Sequence, residues 1–196
     1  MIESLIEIDR WLFLFLNGDS IQWLDGPMWF FSKTWFWFPV DAILLWQICR
    51  RFKNYSWVWV ILGFALVVCL TDRTSSGIIK EWVQRLRPSR EPDLQGLIHF
   101  VKDENGNNYI GGMYGFISSH AANYSGVVSL FLMLMWPLKR IYVALLVFWV
   151  VLISFSRIYL GVHYPADLVG GWIVGIISAL IVYFLLRRSV LKKQPI

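Results

Sequence analysis

The sequence predicts an all-α integral membrane bundle of five to six transmembrane helices, with an interfacial helix at its N-terminus. Three observations carry that expectation. Of the 196 residues, 57% are apolar and only 16% charged, at a mean hydropathy of +0.55, outside the soluble range. Several windows approach or exceed the roughly 20 apolar residues that cross a hydrocarbon core. The twelve Trp residues suit the headgroup boundary, where indole is favoured. The length fits one domain over residues 1–196, with 1–34 as N-terminal helices and 35–189 as the transmembrane core.

Taken in order, residues 1–17 place Ile2, Leu5, Ile6, Phe13 and Leu16 at helical spacing, with Asp9 interrupting the stripe. The segment is too short and too charged to span, so an interfacial amphipathic helix is expected. Glu3, Glu7 and Asp9 stand where a cleavable signal would be basic, so the first transmembrane helix is expected to act as an uncleaved signal. Asn17-Gly18-Asp19-Ser20 breaks the helix. Residues 21–34 fit either a second short helix or the start of the first span.

Spans are expected near 35–48, 56–70, 119–136, 141–155 and 165–186. The second continues helically to about residue 85, before Pro88 stops it. The fifth opens on Pro165, a favoured first helical position, and its Gly171 and Gly175 suit close helix packing. Residues 89–117 form a long polar loop, with turn chemistry at Asn105-Gly106 and Gly111-Gly112. A loop of that length is usually functional or disordered.

Charge fixes orientation. Arg50, Arg51 and Lys53, then Lys139 and Arg140, then Arg187, Arg188, Lys192 and Lys193 fall on one side when the spans alternate, which marks a cytoplasmic face. The loop 89–117 and the stretch 156–165 then share the opposite face. The net charge of +5 therefore reflects membrane topology, and a nucleic-acid partner is not expected. Cys49 and Cys69 read as small apolar core residues without metal-ligand spacing.

Three clusters meet on the non-cytoplasmic face. Lys80 and Arg87 are seven residues apart, so a helix would set both cations on one face about 10 Å apart. Ser118-Ser119-His120 combines hydroxyls with the free N–H groups of a helix start, which suits an anion. Arg157, His163 and Asp167 complete the set, with Asp167 placed to accept the ring N–H of His163. Three cations around two histidines describe phosphoryl transfer in which clamps stabilise the equatorial oxygens. No Cys, His or carboxylate cluster suggests a metal, and no cofactor is expected. Asp72 with Arg73 reads as a buried structural ion pair, and His99 as a solvated loop residue. Arg85 and Arg90 suit a second phosphate, a headgroup or the interface.

Lys80-x6-Arg87-Pro88, Ser118-Ser119-His120 and Ser156-Arg157-x5-His163-x3-Asp167 together resemble the three-part signature of the type 2 phosphatidic acid phosphatase superfamily. The resemblance covers about residues 70–170, with order and internal spacings in agreement. Ile117 and Ser119 stand where that family usually has Pro and Gly in a Pro-Ser-Gly-His motif. The resemblance implies that His163 attacks phosphorus with Asp167 polarising it, and that His120 protonates the leaving oxygen. It implies that Lys80, Arg87, Arg157, Ser118 and the Ser119 amide bind the phosphate.

The expected activity is hydrolysis of a lipid phosphate or diphosphate at the non-cytoplasmic face of a bacterial inner membrane. Undecaprenyl diphosphate, phosphatidylglycerol phosphate, phosphatidate and lipid A phosphates all satisfy such clamps. A lipid phosphotransferase using the same site, and a non-catalytic lipid-phosphate binder or transporter, are the rival readings.

Overall fold

The computed structural model describes residues 2–18 and 21–190. Asp19 and Ser20 of the expected helix break, and Lys192 and Lys193 of the basic C-terminal group, lie outside the described residues. The helices are α1 (Ile2–Gly18), α2 (Asp25–Phe31), α3 (Phe38–Arg51), α4 (Ser56–Asp72), α5 (Lys80–Val83), α6 (Ser119–Met135), α7 (Arg140–Tyr159) and α8 (Pro165–Ser189). A π-helical stretch, Arg73–Ile79, joins α4 to α5 in one helix over Ser56–Val83. No strand forms among the described residues.

Three helices are long and apolar enough to cross a membrane: Ser56–Val83, Arg140–Tyr159 and Pro165–Ser189. Only 28%, 44% and 33% of their most apolar windows is buried within the protein. The rest faces outward, where lipid solvates it. At 17 residues α6 sits at the short limit for a span, and α3, at 14, falls below it.

The bundle is organised by close backbone contact. A Cβ on Gly171 would stand 2.6 Å from the Ser118 carbonyl oxygen, and one on Gly175 would overlap Ser125 Oγ and the Ala122 carbonyl. α6 and α8 therefore run parallel at the small-residue seam that the sequence spacing indicates. The Ser56–Val83 helix packs antiparallel to both. Gly63 lies against Val182 and Leu186 of α8, and Gly126 of α6 lies against Val67 and Thr71. This gathers the starts of α6 and α8 and the end of the Ser56–Val83 helix at one end of the bundle. The described basic residues Arg50, Arg51, Lys53, Lys139, Arg140, Arg187 and Arg188 lie at helix ends on the other. Between them Ile48, Val60, Val67, Leu130, Phe131, Ile153 and Val182 form the main buried cluster.

α1 packs on α7 and α8 with Asp9 and Asn17 turned inward. Phe13 and Asn17 are fully buried, while Leu5, Ile8, Trp11 and Phe15 face outward. The Asn17 amide donates to the Tyr159 carbonyl at 2.8 Å and the Ile158 carbonyl at 3.1 Å, and its oxygen accepts the His99 N–H at 2.9 Å. Residues 21–34 form a short 3₁₀ turn followed by α2, and a second 3₁₀ turn, Thr34–Trp37, leads into α3.

Three expectations are corrected. Cys49 and Cys69 are exposed, because each sits on a face of its helix that no neighbouring helix covers. Asp72 and Arg73 are both exposed and make no ion pair with each other. Adjacent positions on a helix point about 100° apart and do not face one another. His99 is half-buried, with Nε2 2.8 Å from Asp25 Oδ1, because α2 folds back over the loop.

Candidate active site

The end of α7 sets the position of His163. The Gly161 N–H donates to the Ile158 carbonyl at 2.9 Å and the Val162 N–H to the Arg157 carbonyl at 3.1 Å. With Gly161 at φ +71°, this is a Schellman turn. The chain reverses immediately after the helix that carries Arg157, and His163 follows at 2% exposure. Pro165 then opens α8, where Asp167 occupies the third helical position and accepts the Tyr164 N–H at 2.9 Å. The same oxygen, Oδ2, lies 3.2 Å from His163 Nδ1. One carboxylate thus caps the helix and holds the imidazole.

Ser118 caps α6 by accepting the Ala121 N–H at 3.4 Å, and its own N–H donates to the Asp167 carbonyl at 2.9 Å. The second and third motifs are therefore tied backbone to backbone. Lys80 Nζ donates to Ser119 Oγ at 2.8 Å, and Ser75 and Ser76 each bring a hydroxyl within 2.9 Å of the same oxygen. Arg87 Nε donates to the Tyr114 carbonyl at 3.1 Å, leaving its two terminal nitrogens beside Gly111 and Gly112. Arg157 donates to Ser32 Oγ and, at 3.2 Å, to the Tyr109 hydroxyl. Arg157 Nε is buried without a protein partner, and a buried guanidinium donor left over suits an anion.

All the residues nominated from sequence converge. Lys80, Arg87 and Arg157 all bear electrostatically on His163, and Lys80 and Arg157 on His120. Burial, then the charges of Arg87, Arg157 and Lys80, push the His163 imidazole well below its usual pKa. It stays neutral at pH 7, and a neutral ring whose Nδ1–H donates to Asp167 leaves the Nε2 lone pair free. His120 separates two cavities. One, of about 440 Å³, is lined by Trp29, Ser32, Lys33, Tyr109 and Arg157. The other, of about 270 Å³, is lined mainly by apolar side chains including Leu44, Ile48, Phe64 and Val127. Among the described residues no group of three or more His, Cys, Asp or Glu side chains could hold a metal ion.

The structure decides between the roles that the sequence left open for Arg85 and Arg90, and several other neighbours of the site escaped the sequence. Arg85 bridges Asp167 Oδ1 at 3.2 Å and Asp9 Oδ2 at 2.7 Å, whereas Arg90 is exposed and donates to the Gly111 carbonyl at 3.1 Å. Asp9, Ser32 and Tyr109 lie far from the motifs in sequence, whereas Ser75 and Ser76 stand just before Lys80 in the same helix. Only Asp9 left a signal, as a carboxylate in an apolar stripe.

Comparison with known proteins gives the family. The PAP2 superfamily model matches residues 56–190. A lipid A 4'-phosphatase of Bacteroides thetaiotaomicron is 34% identical, over 99% of this chain and 84% of that protein. Another, of Porphyromonas gingivalis, is 35% identical over 96% and 78%. The crystal structure of a transmembrane PAP2-type phosphatidylglycerolphosphate phosphatase from Bacillus subtilis aligns with 97% of this chain and 88% of its own. The TM-score there is 0.64 at 23% identity, a likeness of fold.

Proposed function

The chain belongs to the PAP2 superfamily and is a membrane lipid phosphatase, and from that premise we propose that it removes a phosphate from a lipid A-type glycolipid through a phosphohistidine. The observation that carries the mechanism is the buried His163–Asp167 pair at 3.2 Å, within reach of three cations.

His163 Nε2 attacks phosphorus and the bond to the lipid oxygen breaks. His120 gives that oxygen its proton. Water then attacks the phosphohistidine, passing a proton back to His120 and releasing inorganic phosphate. Arg87, Arg157 and Lys80 hold the equatorial oxygens through the transition state, with the Ser118 and Ser119 region of the α6 N-terminus beside them. These cations supply the charge that a metal would otherwise bring, so the reaction is metal-independent.

Two relatives named lipid A 4'-phosphatases support the substrate class. The apolar cavity at His120 supports a route by which an acyl chain stays in a dry environment while its phosphate reaches the clamps. In the bilayer, α6 crosses with the three longer helices, α3 lies beside them without spanning on its own, and the basic end of the bundle faces the cytoplasm. The site then opens on the opposite face.

The test is phosphate release by the purified protein from lipid A, phosphatidylglycerol phosphate and phosphatidate, with chelator present. Lipid A is expected to be the best substrate, with a phosphoenzyme that acid hydrolyses and base preserves. His163→Ala is expected to lose about 10³-fold or more in kcat. Full activity in that variant, or activity abolished by chelator, refutes the mechanism.

A further inference from the structure

The arginine that grips the carboxylate behind His163 is itself gripped from outside the segment matched to the family, by Asp9 of α1. Asp167 is fully buried, and its two oxygens have separate partners. Oδ2 takes His163 Nδ1 and the Tyr164 N–H, whereas Oδ1 takes Arg85 Nη1 at 3.2 Å. The other terminal nitrogen of Arg85 reaches Asp9 Oδ2 at 2.7 Å, and Asp9 Oδ1 accepts the Ala166 N–H at 2.8 Å. The guanidinium also lies over the Tyr164 ring, its Cζ 3.9 Å from the centroid, and that ring meets Phe13 edge-on at 5.4 Å. Asp9 is 9% exposed and Phe13 fully buried, so α1 presents a charge and an aromatic face to the first turn of α8.

We infer that Asp9 and Arg85 are positioning residues for the phosphatase reaction: Asp9, carried on α1, locks Arg85 across Asp167 and so fixes the carboxylate that orients His163. The inference rests on His163 being the nucleophile. A lone carboxylate at the third helical position can rotate about its χ2 bond. With Oδ1 gripped by a guanidinium that is itself gripped by Asp9 and Tyr164, the plane of the carboxylate is set. A displacement of about 1 Å in a reacting group is enough to slow a reaction about 100-fold.

The arrangement also partitions charge. Arg85 stands between two carboxylates and is shared by them. His163 is faced by Asp167 from α8, Lys80 from α5, Arg157 from α7, His120 from α6 and Arg87 from the loop. Removing Arg85 leaves Asp167 uncompensated, which favours the imidazolium and moves the acidic limb of kcat/KM to higher pH. Removing the Asp9 charge gives Arg85 wholly to Asp167, which disfavours the imidazolium and moves that limb to lower pH. Each displacement is expected to be roughly half a pH unit, from charges a few ångströms apart in a partly buried site.

The experiment measures kcat, KM and the pH profile of the full chain in detergent, with a micellar lipid A phosphate substrate. The proteins are wild type, Asp9→Asn, Arg85→Met, Arg85→Lys, Arg10→Met and His163→Ala. Asp9→Asn and Arg85→Met should lower kcat about 10- to 100-fold with KM within about 2-fold, and their acidic limbs should move in opposite directions. Arg85→Lys should recover part of the rate. Arg10, also on α1, pairs at 3.8 Å with Glu91 and 3.5 Å with Asp93 and does not touch Asp167. Arg10→Met should therefore keep the wild-type rate, although it weakens the docking of α1. Wild-type kcat in Asp9→Asn with His163→Ala inactive overturns this inference and leaves the mechanism standing. An equal loss in Arg10→Met, or limbs that move together, reduces α1 to a structural prop and also overturns it. Turnover in His163→Ala would instead remove the premise.

Discussion

Gly171→Ala isolates the seam that brings the three motifs together. The added Cβ would meet the Ser118 carbonyl oxygen at 2.6 Å, Ala121 Cβ at 2.9 Å and the Ala122 nitrogen at 3.1 Å. Two of these are backbone atoms, which cannot rotate away. Ordinary Cβ contact begins at 3.4 Å, so α6 and α8 must part by about 0.8 Å. The site feels this directly, since Ser118 carries the N–H that is bonded to the Asp167 carbonyl at 2.9 Å. Overpacking of this kind costs about 1–3 kcal/mol, or about 3–10 °C in unfolding temperature for a chain of this size. The accompanying shift of His120 relative to His163 should lower kcat about 10- to 100-fold. Thermal unfolding followed by tryptophan fluorescence reads the first effect, and phosphate release from lipid A reads the second. Gly26→Ala, whose Cβ would have nothing within 4 Å, serves as the control. A Gly171→Ala protein that unfolds at the wild-type temperature and turns over at the wild-type rate refutes the reasoning.

Two further predictions concern stability and pH. Asn17→Ala removes the amide that joins α1 to the end of α7 and to the loop, and leaves buried backbone groups unpaired. It should cost about 1–3 kcal/mol and lower the unfolding temperature without moving the pH profile of the enzyme. His163 has its pKa depressed by burial first and by the flanking cations second, so the unfolded chain takes up a proton that the folded one refuses. Stability should be intact above about pH 6.5 and fall as the pH drops below it, until the folded imidazole is itself protonated. kcat/KM should hold its plateau down to below that same pH. A plateau that ends above pH 6.5 contradicts the assigned environment.

Most of the site was legible because its chemistry is local. Lys80 and Arg87, Ser118 to His120, and Arg157 with His163 and Asp167 each announce a function by residue type and short spacing. The helices that carry them follow from apolar runs and from Pro165 and Ser118 at their starts. Arg85 was ambiguous for a physical reason: a cation two residues from Arg87 reads equally as headgroup contact or clamp, and only its distances to two carboxylates decide. Asp72 with Arg73, Cys49, Cys69 and His99 were misjudged because each depends on which face of a helix or loop a neighbour covers. Helical apolar content fixes the depth of a residue in a bilayer but not its direction.

By itself, then, the sequence determined an all-helical membrane chain, the small-residue seam at Gly171 and Gly175, and the residues proposed to hold and transfer a phosphoryl group. Tertiary structure alone decided how these residues are held. It folds α1 against α8 so that Asp9 meets Arg85 across 76 residues, and it sets Ser32 and Tyr109 on Arg157. Such contacts join distant segments through side chains whose own neighbours carry no motif. Nothing in local periodicity records them, because they arise only when the packed helices fix which faces meet.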